Sequence, residues 1–237
     1  MHRRIFTAHL ASTAGLLVLP GLAGLLTSAE ASASSLTDGD ASLGVHTVLQ
    51  RGASSAVSLL GKSGGFLDNP KVRIPLPAFL HDVAKLARLT GQQARVDELI
   101  TAMNRAAELA VPQAMPLLVN AVKTMSFQDG RKILTGGDNS VTEFFVSRTR
   151  AALRVKFLPI VTQATEKVAL AETYNALAGK ASAVGLLKKD QVNIQQYVTD
   201  KALDGLYLMI GEEERKIRRD PIGTGSAILA KVFGSLK

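Results

Sequence analysis

Four carboxylates near the C-terminal end of the chain have the residue types and the spacing that could support chemistry. The segment KALDGLYLMIGEEERKIRRDP, residues 201–221, places Asp204 nine residues before Glu213, and Glu212 and Glu214 flank the latter. Two carboxylates about 5–10 Å apart in an open cleft are typical of a hydrolase. A closed, cation-paired arrangement indicates a structural role instead, and a binding site is the third interpretation.

The apolar residues of this segment predict which glutamate faces the core. A seven-residue repeat is formed by Leu203, Ile210 and Ile217, and Leu206 lies three residues after the first of them. The next position of this pattern is three residues after Ile210, which puts Glu213 on the inner side of an amphipathic helix. A buried carboxylate needs a cation or hydrogen-bond donors, because burying it unpaired is costly. The other two glutamates are predicted to face outward and to pair, four residues along the helix, with Lys216 and Arg218.

Arg105 is the predicted partner of Glu213. It lies in MNRAAE, beside the apolar stripe of another predicted helix, and Asn104 and Glu108 lie along the same turns. Arginine presents a planar fork that suits a carboxylate. With Asp204, these residues form either the floor of a polar pocket or a buried structural network. Close approach of another segment or of a ligand to the last helix is indicated by two interior glycines, Gly205 and Gly211.

Four cations on one predicted helix form a second candidate binding surface. No acidic residue lies between Glu143 and Glu166, and this stretch carries Arg148, Arg150, Arg154 and Lys156. Spaced cations raise the local potential toward phosphates and carboxylates. The two interpretations are contact with an anionic envelope component and a solvated helix face. The absence of tryptophan and the 5% aromatic content leave few groups that could stack on single-stranded nucleic acid, so no nucleic-acid partner is predicted.

Other catalytic motifs are missing from the sequence. There is no cysteine, hence no disulfide framework, no thiol nucleophile and no thiolate metal site. His46 and His81 are the only histidines after residue 33, and neither has nucleophilic and acidic neighbours at the spacing of a known motif. AVSLLGKSGG resembles the end of a phosphate-binding loop, but Ala56 stands where the first glycine belongs. No cofactor and no metal are therefore predicted.

The N-terminal residues predict export. MHRR is followed by a mostly apolar stretch to Leu26 and then by small residues, which is typical of a signal peptide over residues 1–33 cleaved after Ala31 or Ala33. The general secretory and twin-arginine routes remain alternatives. Cleavage changes the formal net charge from +8 to +7, since the removed segment carries two arginines and one glutamate. The predicted location is periplasmic or secreted, and the predicted contact with the membrane is through the uncleaved signal alone.

The remaining chain, residues 34–237, is predicted to be a single all-α domain with many helices. Prolines in GGFLDNPKVRIPLPAFL predict one extended arm at about residues 69–77, with Val72, Ile74 and Leu76 on one side. Pro159 is predicted to kink or restart its helix. From three-and-four apolar spacing and capping residues, helices are predicted at about residues 43–60, 77–90, 93–110, 112–125, 126–134, 140–157, 173–183 and 193–219.

Several motifs in a fixed order resemble one family. GGFLDNPKVRIPLP, MNRAAELAVPQA, MSFQDGRKIL, YVTDKALDGLYLMIGEEERKIRRDP and the closing KVFG are similar to the bacterial exported family called domain of unknown function 4197. The resemblance extends from about Leu43 to Gly234 and implies an exported helical protein, without implying an activity, substrate or catalytic residue. Two functions remain: a non-catalytic binding or interaction protein of the cell envelope, whose partner is an anionic envelope component or a small ligand, and a carboxylate-pair hydrolase acting on an envelope component.

Overall fold

Helices carry most of the described backbone in the computed structural model of this chain. The structure describes residues 38–81, 84–85, 89–166, 168, 171–172, 174–175 and 193–234, and these ranges contain no β-strand. The α-helices that are described over their whole printed length are α1 (Asp38–Leu60), α2 (Gln93–Ala110), α3 (Met115–Lys123), α4 (Phe127–Thr135), α5 (Ser140–Thr165), α6 (Ile194–Arg219) and α7 (Ala227–Gly234). Two 3-10 segments are Ala78–Leu80 and Val111–Ala114. The chain has an all-α fold.

The helices pack around α5 and α6, which lie side by side as the main pair. Helix α1 packs against α6, α3, α4 and α7, while α2 packs against α5 and α6. Fully buried apolar side chains from four helices form one core, represented by Leu49, Leu99, Phe145 and Leu206. Residues 36–237 form one compact unit. The predicted signal segment lies outside the described residues, as do most of residues 173–183 and part of the helix predicted at residues 77–90.

Several helix ends follow from their sequences. The Ser126 hydroxyl accepts a hydrogen bond from the Asp129 amide, and the Asp129 carboxylate accepts one from the Ser126 amide, so a capping box starts α4. Asn193 accepts from the amides of Gln195 and Gln196 and caps α6. Helix α1 is described from Asp38 onward, so Asp40 lies inside it, where it pairs with Lys231 of α7.

Helix α5 continues through Pro159, so the helix does not restart there, which was one of the two predicted alternatives. The helix runs without interruption from Ser140 to Thr165. A proline inside a helix loses one backbone hydrogen bond. Here the ring lies on the exposed side, and the fully buried Phe157 and Val161 hold both flanks of the helix in the core. Tertiary packing of the apolar side outweighs the local defect.

The segment after α1 differs in part from the extended arm predicted at residues 69–77. Residues 70–72 form turns, in which the amides of Val72 and Arg73 donate to the Asn69 carbonyl. Residues 73–77 are neither helix nor strand. The predicted alternation holds for most of the side chains, since Val72, Ile74 and Leu76 are buried while Arg73 and Pro75 are exposed. It fails at Pro77, which was predicted on the outer side and is buried.

Other segments of the protein approach α6 closely at two interior glycines, and this close approach explains why glycine occurs inside the helix. A Cβ atom on Gly205 would lie 2.7 Å from the Phe66 ring, and one on Gly211 would lie 3.0 Å from the Thr142 hydroxyl oxygen. The close approach indicated by the sequence is therefore made by protein groups at both positions. Helix α6 is consequently in direct contact with the segment after α1 and with the start of α5.

Candidate functional site

The buried glutamate of α6 is Glu214, whereas Glu213 had been predicted. The Glu214 side chain is completely buried, while that of Glu213 is 18% exposed and lies 3.9 Å from the exposed Lys216. Eleven residues complete three turns of a straight α-helix to within about 20°, so residue 214 lies almost directly along the axis from Leu203. The prediction instead counted three residues on from Ile210 within the seven-residue repeat. It therefore chose residue 213, which is rotated by about 80° from that line.

Glu214 closes the N-terminal end of α5. Its carboxylate accepts hydrogen bonds from the amides of Val141 and Thr142, at 2.9 and 3.1 Å, and from the Thr142 hydroxyl. The guanidinium of Arg218 donates to the same carboxylate at 3.1 Å through both Nε and a terminal nitrogen. A negative charge is favourable at a helix N-terminus, where the first amides have no partner within the helix. Glu214 is therefore a satisfied structural carboxylate.

Arg218 extends this network to two other elements. It donates to the Ile133 carbonyl at the end of α4 and to the Ser140 hydroxyl at the start of α5. Its guanidinium also lies 5.3 Å from the centre of the Phe233 ring in α7. The pair of Glu214 and Arg218 thus connects α4, α5, α6 and α7 by side-chain contacts. The predicted ion pair between these two residues is present, but it lies inside the protein.

Arg105 does not meet Glu213. Its guanidinium donates at 2.6 Å to the Glu108 carboxylate and to the Ser63 hydroxyl. Glu108, only 4% exposed, also accepts at 3.0 Å from the backbone amides of Phe66 and Leu67. These contacts attach the segment after α1 to α2.

Asn104 attaches the same segment one turn earlier on α2. Its side-chain oxygen accepts from the Ile74 amide at 2.8 Å, and its side-chain nitrogen donates to the Ile74 carbonyl at 3.0 Å. The nitrogen also donates to the Ile100 carbonyl within the helix. We call Asn104, Arg105 and Glu108 the α2 clasp. Of the five residues predicted to form one polar cluster, these three come together and Asp204 and Glu213 lie elsewhere.

The hydrogen bonds of the clasp decide the charge of Glu108. Burial on its own would raise the pKa of this carboxyl. Hydrogen bonds from the Leu67 amide, the Arg105 guanidinium and the Phe66 amide outweigh burial, and the pKa of Glu108 is lowered below its ordinary value. The carboxylate is therefore held in its charged form and is occupied by donors from this chain.

Asp204 and Glu213 are not placed as a hydrolytic pair. Nine residues along α6 separate them by about 13.5 Å in height and by about half a turn, so they point to opposite sides of the helix. Asp204 is half exposed and pairs with Arg150 at 2.7 Å. A pair of hydrolytic carboxylates must flank one bond at about 5–10 Å. The residues proposed for the hydrolase alternative do not meet this requirement.

The predicted basic surface of α5 is largely neutralised by carboxylates from other elements. Arg148 pairs with Asp129 of α4, Arg150 with Asp204 and Arg154 with Asp200 of α6, at 2.7–3.1 Å. Lys156 is exposed, and within the described part of the chain no carboxylate lies within ion-pair distance of it. Three of the four cations are therefore already paired.

A groove between α1 and α4 is the feature that sequence reasoning missed. It has a volume of about 540 Å³, and its apolar wall is formed by Ala41, Val45, Met125, Phe127 and Leu134. Its polar side chains are Ser42, His46, Ser126, Arg131 and Thr135, and Gly130 completes the lining. A Cβ atom on Gly130 would contact only the flexible end of Met125, at 3.8 Å. We call this feature the α1–α4 groove.

The groove leaves no clear signal in the sequence, and its most conspicuous residue is recognisable only in the structure. Phe127 follows the cap of α4 and is 60% exposed, which is unusual for a phenylalanine in an otherwise well-packed domain. The groove also places His46, half-buried, beside an apolar wall. His81 lies in a different groove, next to Arg73 and Pro75. The two sides of the α1–α4 groove come from residues 41–46 and 125–135, which are at least 79 positions apart in sequence and share no pattern that would predict their contact.

Glu213 itself lines a polar groove between α1 and α6. Its neighbours there are Leu59 and Met209 on the floor and charged side chains around them. Both signs of charge are present and partly paired, as in the contact of Glu212 with Lys71 and Arg215. Lys71 and then Arg215 hold the pKa of Glu212 below its ordinary value. Across the described ranges, no group of three or more histidine, aspartate and glutamate side chains is arranged to hold a metal ion.

Comparison with known proteins agrees with the order of motifs along the chain. The family described as "Protein of unknown function (DUF4197)" matches residues 35–234. The chain belongs to this family. No curated protein and no solved structure shows significant similarity to it. The DUF4197 match covers every helix described above, including the clasp, the Glu214 network and the α1–α4 groove. Among the described residues, none of the helices has both the length and the apolar character needed to cross a bilayer.

Proposed function

We propose that this protein is an exported, non-catalytic binding protein of the cell envelope, and that it binds a small, largely apolar ligand in the α1–α4 groove. The observation that carries this proposal is the lining of the groove. Small-molecule sites are concave, mostly apolar and about 300–1,000 Å³ in volume, with a few polar groups that orient the ligand. The α1–α4 groove, at about 540 Å³, combines an apolar wall with a histidine, an arginine and three hydroxyls.

The arrangement of the carboxylates favours binding over hydrolysis. Glu108 and Glu214 are buried, and each is saturated with donors from this chain. Asp204 and Glu213 lie on opposite sides of α6. The α1–α4 groove contains no carboxylate at all in its lining, and its one histidine has no acidic neighbour there. A general acid and base pair is thus not supplied to the groove by these residues.

Gly130→Leu should abolish binding of an apolar probe, because a leucine at this position fills the groove. The neutral fluorophore N-phenyl-1-naphthylamine is a suitable probe, since its emission rises in apolar surroundings and the chain has no tryptophan to interfere. We expect saturable fluorescence enhancement with the parent protein and none with Gly130→Leu. Gly130→Ala is the matched control, because its methyl group contacts only Met125 and leaves the groove open. Equal enhancement with the leucine variant would exclude the α1–α4 groove as the site.

Export is the second part of the proposal, and the N-terminal sequence supports it. We expect the mature chain to begin at Ser32 or Ser34 and to occur outside the cytoplasm. Intact-mass measurement and N-terminal sequencing of the protein from fractionated cells test this directly. A full-length chain that retains Met1 and stays in the cytoplasm, in cells that process other exported proteins, would contradict it.

A further inference from the structure

We infer that the ligand of the α1–α4 groove is a soluble single-chain amphiphile with a carboxylate head group, and that Arg131 binds this head group. The inference rests on the proposed function and names the ligand class of the same site. It is carried by the distribution of charge around the groove and by the position of Arg131 at its exposed side.

The residues that line the groove carry one formal positive charge, that of Arg131. The eleven lining residues include Arg131 and His46 but neither aspartate nor glutamate. By contrast, the groove between α1 and α6 contains Glu212, Glu213 and Asp220 beside its cations. A cation that faces an acid-free, partly apolar groove is complementary to an anion, and charge-assisted hydrogen bonds from arginine to a carboxylate are among the stronger polar contacts.

Arg131 is available to a ligand. It is exposed, and no carboxylate in the described ranges lies within ion-pair distance of it. The nearest acidic residue along the helix, Asp129, points to another side of α4 because residues two apart do not face each other. Asp129 is also occupied, since it accepts from the Ser126 hydroxyl and from Arg148. Hydrogen bonds from the Ser126 side chain and backbone, and then Arg148, hold the pKa of Asp129 below its ordinary value.

The apolar part of the groove is suited to a hydrocarbon chain. Val45 is fully buried at the α1 side, Leu134 and Met125 are half-buried, and Phe127 is exposed at the rim. The polarity therefore changes from a dry apolar floor to a solvated cation. An amphiphile matches both regions, whereas a small hydrophilic anion would leave the apolar wall exposed to water.

A soluble amphiphile fits better than an anionic membrane surface. Binding to such a surface typically uses clusters of about four to eight lysines and arginines. The groove offers one arginine, and the arginines of α5 are paired with Asp129, Asp204 and Asp200. One cation beside a concave apolar wall is the arrangement expected for a single ligand molecule.

Displacement of N-phenyl-1-naphthylamine by dodecanoate and by dodecanol tests the inference. Both competitors are used at concentrations below micelle formation, with the parent, Arg131→Gln and Lys132→Gln. We expect dodecanoate to displace the probe from the parent at a concentration about tenfold or more below that needed for Arg131→Gln, because a charge-assisted contact is lost. Dodecanol should not distinguish the three proteins. Lys132→Gln removes the same charge from the neighbouring position, which lines a different groove, and should behave like the parent.

The possible failures differ from one another. Equal displacement by dodecanoate from the parent and from Arg131→Gln overturns the assignment of the head group and leaves the apolar site intact. A parent that does not bind the probe at all overturns the proposed function and this inference together. Co-sedimentation with phosphatidylglycerol vesicles, without displacement by soluble dodecanoate, overturns the inference in favour of a membrane surface.

Discussion

Glu214→Ala should lower the free energy of unfolding by about 3–5 kcal/mol, since it removes one partner of a buried ion pair. The substitution leaves the amides of Val141 and Thr142 without an acceptor and strands the largely buried guanidinium of Arg218. Urea unfolding followed by circular dichroism at the helix band measures the change. The loss should appear as a lower midpoint with little change in the denaturant slope.

Glu213→Ala is the matched control for this experiment. It removes a carboxylate of the same type from the adjacent position, where the contact to Lys216 is 3.9 Å long and Lys216 is 75% exposed. Such a pair is worth about 0–1 kcal/mol, so the midpoint should barely move. If the two variants unfold at the same urea concentration, the buried network around Glu214 does not stabilise the protein as its geometry indicates.

Glu108→Ala should lower the free energy of unfolding at neutral pH by about 2–4 kcal/mol, because two backbone amides lose a buried acceptor. Glu108→Gln should lose less, since one retained oxygen can still accept from both Phe66 and Leu67. Local release of the segment can be followed by trypsin, which cleaves after Lys62, Lys71 and Arg73. Glu98→Ala, an exposed position of the same helix, serves as the control. Unchanged cleavage and stability in Glu108→Ala would show that the α2 clasp is dispensable.

The contribution of Glu108 should also depend on pH. Its pKa in the folded protein is lowered from an ordinary value of 4.5, which we take for the unfolded chain. The stabilisation is therefore fully present above that value and is lost as the pH falls through the folded-state pKa. The parent and Glu108→Gln should become more alike in stability below about pH 4.5, while other carboxyls titrate in both proteins and cancel. A constant difference between about pH 7 and about pH 3 would contradict this assignment.

The helices were predictable where local chemistry determines their ends. Ser126 and Asp129 form a capping box within four residues, and Asn193 caps α6 through the next three residues. The course of α5 through Pro159 was not predictable from local rules, because the burial of Phe157 and Val161 decides it. The first part of the predicted arm forms turns instead of extended backbone. The Asn69 carbonyl accepts hydrogen bonds from nearby amides of the same segment, and these bonds favour turns.

The candidate site was predictable only in its residue types. The sequence correctly paired Glu214 with Arg218. It predicted the wrong glutamate to be buried and gave Glu213 the partner Arg105, which instead pairs with Glu108. Residues 213 and 214 are adjacent in α6. Which of the two is predicted to face the core depends on whether the helix is given a period of 3.5 or 3.6 residues. The α1–α4 groove depends on which helices are neighbours, and that information is absent from the periodicity of either helix.

The carboxylate that closes the start of α5 has a consequence for the order in which the protein folds. Glu214 follows Val141 by 73 residues, so a chain that emerges from its N-terminus exposes the first turn of α5 long before its cap exists. Contacts between distant residues form late, because the entropic cost of closing a long loop precedes the stabilisation that the contacts give. The amides of Val141 and Thr142 remain hydrated until α6 is complete. Helix α5 therefore reaches its final stability only when the last quarter of the chain has been synthesised.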